Sequence, residues 1–300
     1  MSIDRRSVFK AVAAAGAASV AGALPAAAKE RAQAPPDAVG LLYDATKCIG
    51  CKTCVVACQD ANGLPRDTRL DPRYDAPTDL NDRAKTVIKL FHDGDRRSFV
   101  KAQCMHCIDP ACVNACMLGA LQKREHGIVT WDPNRCIGCR YCQVACPFEV
   151  PKFQWASAAP RIVKCELCNH RLAEGKEPAC TEVCPAKAVI YGKRTELLAE
   201  AKRRIAELPG RYQPKVFGET DAGGTQCLML APSNVSFGEL GLPALGDEPA
   251  PELARSVQHT IYKGFAAPVA LYGLLGFVMW RNRRQNRVEA EGEGGKEETR

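Results

Sequence analysis

The sequence predicts an α+β fold in which two similar halves are nested, one inside the other, in a domain that is followed by one C-terminal transmembrane helix. Three observations support this. Sixteen of the 17 cysteines fall into four short blocks, and an uncharged apolar run lies near each end of the 300-residue chain. Short strand-like segments also flank the cysteine blocks in a repeated order.

The first 28 residues have the pattern of a twin-arginine export signal. Arg5 and Arg6 precede an Ala/Gly-rich run, Ala11–Ala28, which ends in three alanines. Small residues at this position form a cleavage site. An uncleaved N-terminal anchor is the alternative, but a run so rich in Ala and Gly is weakly hydrophobic. We therefore expect export by the twin-arginine route, with residues 1–28 cleaved off as a signal peptide.

The apolar run near the other end, Gly264–Trp280, predicts a membrane anchor. As a helix it would be about 25 Å long, against a hydrocarbon core of about 30 Å. Four arginines follow it within seven residues, which by the positive-inside rule places the tail in the cytoplasm. A buried core helix is the alternative, but the arginines and the acidic tail disfavour it. We predict a single-pass anchor at 258–282, a cytoplasmic tail at 283–300, lipid contact through the anchor, and the remaining residues on the periplasmic face of the inner membrane.

Composition narrows the classes of function. The formal net charge is +7, but the basic residues are scattered rather than striped, so no nucleic-acid partner is expected. Disulfide scaffolds are usually short, whereas these cysteines are clustered in a long chain, which indicates metal binding. The sequence contains no dinucleotide-binding glycine motif, P-loop or nucleophile motif, so the chain is not expected to be an enzyme on its own.

Blocks one and three have the cysteine spacing of bacterial ferredoxins. Three thiolates three residues apart surround one [4Fe–4S] cluster, and a fourth, four residues later, reaches a second cluster. Gly50 and Gly138 lie inside these loops, where the backbone must pass close to inorganic sulfur. Block one comprises Cys48, Cys51, Cys54 and Cys58, and block three comprises Cys136, Cys139, Cys142 and Cys146.

Blocks two and four keep the last Cys-x-x-x-Cys step but have longer loops. Zinc knuckles are the alternative, because Cys-x-x-Cys pairs also form Cys₄ zinc sites, but zinc does not need a third cysteine three residues further on. His106 and His170 are interpreted as neighbours of the clusters or surface residues, and Cys227 as a buried thiol without metal. Block two comprises Cys104, Cys107, Cys112 and Cys116, and block four comprises Cys165, Cys168, Cys180 and Cys184.

The spacers predict how the blocks pair. Leu118–Gln122, a polar turn through Gly127 and Ile128–Trp131 form a hairpin-like link between blocks two and three. Gly40–Asp44 precedes block one, and Ala188–Tyr191 follows block four, in the same relative order, so these blocks form a second half around the first. The rival pairing, one with two and three with four, is disfavoured because neither spacer shows a comparable hairpin.

The nested pairing predicts two ferredoxin-like double-cluster halves with four [4Fe–4S] clusters. In the outer half, cluster 1 is bound by Cys48, Cys51, Cys54 and Cys184, and cluster 2 by Cys165, Cys168, Cys180 and Cys58. In the inner half, residues 100–150, cluster 3 is bound by Cys104, Cys107, Cys112 and Cys146, and cluster 4 by Cys136, Cys139, Cys142 and Cys116. The cluster domain is expected at 29–195, and an extension and linker at 196–257, containing an amphipathic helix at Thr195–Leu208 and a strand around Leu228–Leu230.

From Val39 to about Lys193 the chain resembles the four-cluster iron–sulfur subunits of dimethyl sulfoxide reductase, polysulfide reductase and formate dehydrogenase complexes. The motif from Cys165-Glu166-Leu167-Cys168 to Cys184-Pro185 is particularly specific. The resemblance implies a relay of electrons between a catalytic partner and an integral membrane subunit that reacts with quinone. An export signal together with an anchor is most similar to the hydrogenase-2 type, which implies the small subunit of an uptake [NiFe] hydrogenase as partner. The alternatives are a formate dehydrogenase or a sulfur-compound or nitrite reductase complex.

Overall fold

The computed structural model describes residues 32–66, 79–157, 160–251 and 268–284. The chain divides into two compact units, one of residues Arg31–Leu253 and one of Met1–Glu30 with Ala254–Arg300. All 17 cysteines lie in the first unit. Its secondary structure is mixed, as the predicted α+β class requires.

The elements of the first unit are short. The strands are β1 (Val39–Asp44), β2 (Thr86–Asp93), β3 (Arg96–Gln103), β4 (Leu121–Lys123), β5 (Val129–Trp131), β6 (Lys152–Phe153), β7 (Ile162–Val163), β8 (Val189–Lys193) and β9 (Cys227–Leu230). The α-helices are α1 (Thr53–Ala61), α2 (Ala111–Asn114), α3 (Tyr141–Ala145), α4 (Asn169–Ala173), α5 (Ala179–Glu182) and α6 (Arg194–Glu207).

A three-stranded sheet contains β1 at its centre. β8 pairs with β1 in the antiparallel direction and β9 in the parallel direction. All six residues of β1 are buried, which matches its nearly continuous apolar sequence, because a central strand covered on both faces needs no polar side. The strands predicted at Gly40–Asp44, Ala188–Tyr191 and Leu228–Leu230 are confirmed.

Among the residues that the structure describes, three hairpins lie outside this sheet. The predicted hairpin between blocks two and three is confirmed as β4–β5, with Leu121 opposite Trp131. The prediction that the other two spacers lack a hairpin is wrong, because β2 pairs with β3 and β6 pairs with β7. The β2–β3 turn has Gly94 at φ +56, a backbone conformation that glycine adopts easily.

The helix predicted at Thr195–Leu208 is confirmed as α6. Leu197 and Ala201 are buried in one apolar cluster with residues of β1 and β9. Arg204 lies on the same helix and forms a buried ion pair with Asp44 at the end of β1, with 3.0 Å between Nη1 and Oδ2. Tyr212 donates a further hydrogen bond of 3.0 Å to Asp44. The helix is therefore attached to β1 next to the start of block one.

In the second unit, residues 268–284 are helical and almost entirely exposed. Within the described ranges, no helix is both long enough and apolar enough to cross a membrane. The predicted anchor is described only from residue 268 onwards, and the predicted signal peptide lies outside the described residues.

Candidate iron–sulfur cluster sites

Blocks one and three follow the same backbone path. Gly50 and Gly138 have φ values of +70 and +72, and two residues later Lys52 and Arg140 have φ values of +57 and +67. A helix then begins directly in each case, α1 after Lys52 and α3 after Arg140. The repeat seen in the cysteine spacing is thus also a repeat in backbone conformation, and it turns three thiols of each block towards one space.

The first of these spaces brings distant blocks together. Cys48, Cys51 and Cys54 of block one line a cavity together with Cys184 of block four. Cys54 is held by the first turn of α1, and Cys184 follows α5. The backbone N–H of Ala188 donates to Cys184 Sγ at 3.3 Å, a contact that orients the sulfur.

The second space repeats this arrangement for the inner blocks. Cys136, Cys139 and Cys142 of block three line a cavity together with Cys116 of block two. The backbone N–H of Ala120 donates to Cys116 Sγ at 3.2 Å, four residues after the cysteine, as in the first cavity. Each cavity is therefore lined by three thiols of one block and a fourth thiol of another.

The remaining eight cysteines of the blocks form two interior groups. Burial, followed by the nearby Cys165, Cys180 and Cys168 thiolates, raises the pKa of Cys58. In the same way, burial and then Cys104, Cys146 and Cys112 raise the pKa of Cys107. Thiolates that act on each other this strongly lie close together. One group comprises Cys58, Cys165, Cys168 and Cys180, and the other comprises Cys104, Cys107, Cys112 and Cys146.

Neighbouring groups also interact, and they do so in a row. Besides burial, the thiolate of Cys54 in the first cavity raises the pKa of Cys180. Between the two interior groups, the thiolate of Cys104 likewise raises the pKa of Cys165. Besides burial, the thiolate of Cys142 in the second cavity raises the pKa of Cys112. The four groups therefore follow each other from the first cavity, through the two interior groups, to the second cavity.

The thiols need a metal to become thiolates. Burial, together with the neighbouring thiolates, raises the pKa of Cys112, Cys142 and Cys180 to about 12. At neutral pH such thiols stay protonated unless a soft cation replaces the protons. Across the described residues no three His, Cys, Asp or Glu side chains are arranged to hold a single metal ion. The cysteines of the two cavities surround a space, as the ligands of a cubane do.

A buried lysine beside these thiols also fits a bound cluster. Lys101 on β3 is 1% exposed and lines the first cavity beside its thiols. Burial alone would lower its pKa, but the thiolates of Cys180 and Cys54 raise it above its ordinary value. A buried ammonium is costly unless negative charge compensates it. A thiolate-bound iron–sulfur cluster supplies that charge, so the residues fit the group.

Sequence reasoning did not identify Lys101 or a second buried lysine, Lys164, which is 2% exposed. Lys101 belongs to the hairpin that was not predicted, and it follows the buried Val100 directly in β3, so an alternating pattern would have placed it on the exposed face. Lys164 precedes Cys165 directly, and nothing in the local sequence distinguishes it from a surface lysine.

The other singled-out residues occupy different environments. Cys227 is 2% exposed and its thiol donates to the carbonyl oxygen of Cys104 at 3.3 Å. His106 is fully buried, and its Nδ1 accepts a hydrogen bond of 3.1 Å from the backbone N–H of Val129. Burial, and then Lys164 and Lys123, lower its pKa, so the ring is neutral. His170 is exposed on α4.

Comparison with known proteins agrees with this donor set. Residues 96–194 match a family described as a 4Fe-4S dicluster domain. The hydrogenase-2 operon protein HybA of Shigella flexneri is 38% identical over 95% of this chain and 97% of its own length. The chain belongs to the family of iron–sulfur electron-transfer subunits that includes HybA. This family carries iron–sulfur clusters, so the zinc-knuckle alternative is set aside.

Formate dehydrogenase subunits belong to the same group of relatives. The formate dehydrogenase iron-sulfur subunit of Haemophilus influenzae is 34% identical over 80% of this chain and 78% of its own length. The nitrate-inducible formate dehydrogenase iron-sulfur subunit of Escherichia coli is 35% identical over 79% of this chain and 81% of its own length. These relatives transfer electrons and are not catalytic subunits, which confirms the prediction that the chain is not an enzyme on its own.

Proposed function

We propose that this chain holds four [4Fe–4S] clusters in nested pairs and relays electrons along them. The observation that carries the proposal is the first cavity, in which three thiols of block one lie beside Cys184 of block four. The second cavity supports it in the same way, with Cys116 of block two beside three thiols of block three. In both cases the fourth thiol belongs to the block that nested pairing requires.

The row of four groups supports a relay. Cys51 and Cys139, in the two cavities at the ends of the row, are exposed, whereas the interior groups are mostly buried. Electrons can therefore enter through one end cluster and leave through the other. Apolar side chains are exposed beside both ends, including Ile49 at the first cavity and Ile137 at the second, at 61% and 67%. Exposed apolar residues of this kind are typical of docking surfaces.

The proposed partners are the small subunit of an uptake [NiFe] hydrogenase and an integral membrane subunit that reacts with quinone. The similarity to HybA supports this choice, because it extends over 95% of the chain, whereas similarity to the formate dehydrogenase subunits extends over about four fifths. We also propose that the cluster domain lies on the periplasmic side after twin-arginine export, with membrane lipid contacted by the C-terminal helix. A formate dehydrogenase or a sulfur-compound or nitrite reductase complex is the alternative.

Iron content and two matched variants test the cluster assignment. Four cubanes contain sixteen irons, so purified chain should bind about sixteen. Cys184→Ser should damage the cluster that block one binds, and Cys116→Ser should damage the cluster that block three binds. Electron paramagnetic resonance of the reduced protein identifies which signal is lost. Four intact signals in Cys184→Ser would disprove the nested pairing.

A deletion strain tests the partner. Without this chain, hydrogen-driven reduction of an artificial dye should persist, because dye takes electrons directly from the hydrogenase, whereas hydrogen-driven quinone reduction should disappear. A chain that ends after Arg255 should assemble clusters but associate less firmly with the membrane. Normal hydrogen-driven quinone reduction together with failed formate-driven respiration would instead support the formate dehydrogenase alternative.

Protease treatment of spheroplasts tests the location. The cluster domain should be digested, while an epitope attached after Arg300 should remain protected inside the cell. Digestion of the epitope would contradict the proposed direction of the membrane span.

A further inference from the structure

Lys101 is a cation enclosed at the junction of the first two thiol groups. It is 1% exposed and lines the cavity of Cys48, Cys51, Cys54 and Cys184. Its ammonium donates a hydrogen bond to the hydroxyl of Thr86, and among the described residues no carboxylate forms an ion pair with it. Burial raises the pKa of Cys58 and Cys180 in the next group, and the charge of Lys101 opposes that rise.

Lys164 occupies the corresponding position at the next junction. It is 2% exposed, and its Nζ donates to the carbonyl oxygens of Val129 and Cys165 at 2.5 and 2.8 Å. The second bond attaches it to the backbone of a cysteine in the second group. Burial raises the pKa of Cys104 and Cys146 in the third group, and the charge of Lys164 opposes that rise.

Both lysines influence the second group, because the charges of both oppose the rise that burial causes in the pKa of Cys165. The fourth group differs. Its cavity is lined by the arginines Arg135 and Arg140 rather than by a buried lysine, and the side chain of Arg135 is 57% exposed. Water screens an exposed charge far more than a buried one.

We propose that Lys101 and Lys164 are fixed positive charges that raise the reduction potentials of the clusters on either side of them. Lys101 acts on clusters 1 and 2, Lys164 acts on clusters 2 and 3, and neither acts on cluster 4. Reduction adds an electron to an already negative cluster, and a buried cation stabilises the reduced form more than the oxidised form. Cluster 2, the only one beside both lysines, is stabilised twice. This inference rests on the four-cluster proposal above.

Redox titration followed by electron paramagnetic resonance tests the inference on the purified full chain. Lys101→Met should lower the equilibrium constant for reduction of clusters 1 and 2 at least tenfold. For a one-electron couple this is a downward shift of the reduction potential by about 59 mV. Lys164→Met should shift clusters 2 and 3 to a similar extent. In both variants cluster 4 should stay unchanged. Iron content, measured on the same samples, tests the four-cluster proposal separately.

Lys89→Met is the matched control. Lys89 lies on the same hairpin, with its side chain 34% exposed and paired with Asp79 at 2.9 Å, so its replacement should leave all four potentials unchanged. Thr86→Val removes the hydroxyl that Lys101 contacts but keeps the ammonium, and should also leave them unchanged. Equal shifts of all four clusters, or no shift in either methionine variant, would overturn the inference.

Conservative variants distinguish charge from packing if Lys101→Met binds less iron. Lys101→Arg keeps the positive charge. The inference requires that this variant has full iron content and that its equilibrium constants for cluster reduction lie within tenfold of the wild-type values. A selective loss of reducibility at clusters 2 and 3 in Lys164→Met gives independent support. A shift in Lys101→Arg as large as that expected for Lys101→Met would show that packing, and not charge, sets the potentials.

Discussion

Replacing Gly50 by alanine should weaken the block one loop by an amount that the structure allows us to divide into two parts. Gly50 has φ +70, and an L-residue in this left-handed conformation costs about 1–2 kcal/mol. A Cβ at this position would also collide with the ring of Phe99, and overpacking of this kind costs about 1–3 kcal/mol. Gly50→Ala should therefore destabilise the folded protein by about 2–5 kcal/mol.

Two other glycines provide controls with the same backbone conformation. Gly63 has φ +59 and no atom within 4 Å of an added Cβ, so Gly63→Ala should cost only about 1 kcal/mol, since the stiffer unfolded chain offsets part of the strain. Gly138 has φ +72, and its added Cβ would lie 3.0 Å from Pro160 Cγ, which gives an intermediate cost.

The measurement is the denaturant concentration at which the visible absorbance of the clusters falls by half under anaerobic conditions. Combining Gly50→Ala with Phe99→Leu should recover part of the loss, because the smaller side chain relieves the collision. Equal midpoints for Gly50→Ala and Gly63→Ala would refute the steric part of this reasoning, and only the conformational part would stand.

Three further variants test other parts of the structure. Cys227→Ala should leave iron content unchanged and cost about 1 kcal/mol, since it removes a small buried group and two weak hydrogen bonds, with Cys104 and Gln103. Asp44→Asn should lower stability by about 2 kcal/mol in denaturant unfolding, because Arg204 loses one buried carboxylate but keeps its 2.7 Å contact with Glu200. Hydrogen bonds from Ser236, and then Arg96, lower the pKa of Glu239 from 4.5 to about 2. The folded pKa is below the unfolded value, so this stabilisation is complete above pH 4.5 and is lost as pH falls towards 2. In denaturant unfolding at a series of pH values, Glu239→Gln should remove this part of the loss of unfolding free energy between pH 4.5 and 2.

The elements next to the cysteine blocks could be predicted from the sequence because local signals determine them. β1 is an apolar run of six residues, and β4 and β5 are separated by a polar turn that ends at Gly127. α6 shows helical spacing of Leu197 and Ala201, both buried. In each case the residues that form the element also carry its pattern.

The missed features depend on information from elsewhere in the chain, with one exception. β2 and β3 are joined by Gly94-Asp95, a two-residue turn that favours a hairpin, so this hairpin could have been predicted. β6 and β7 have two residues each, too few for any periodicity. The parallel pairing of β9 with β1 joins residues far apart in sequence, and the burial of Lys101 follows from the position of the β2–β3 hairpin.

The three-stranded sheet also determines the order in which the molecule can be completed during synthesis. β1 emerges from the ribosome first, but its two partners, β8 and β9, emerge after the whole inner half. Domains fold from the N-terminus as they are made, and every cysteine proposed for clusters 3 and 4 has been synthesised once Cys146 is added, whereas β1 is still without either partner strand. A nascent chain that stops before Cys227 leaves one edge of β1 with unpaired backbone groups, and such edges pair readily with other chains. An unfinished protein is therefore distinguished from a finished one by an exposed strand edge.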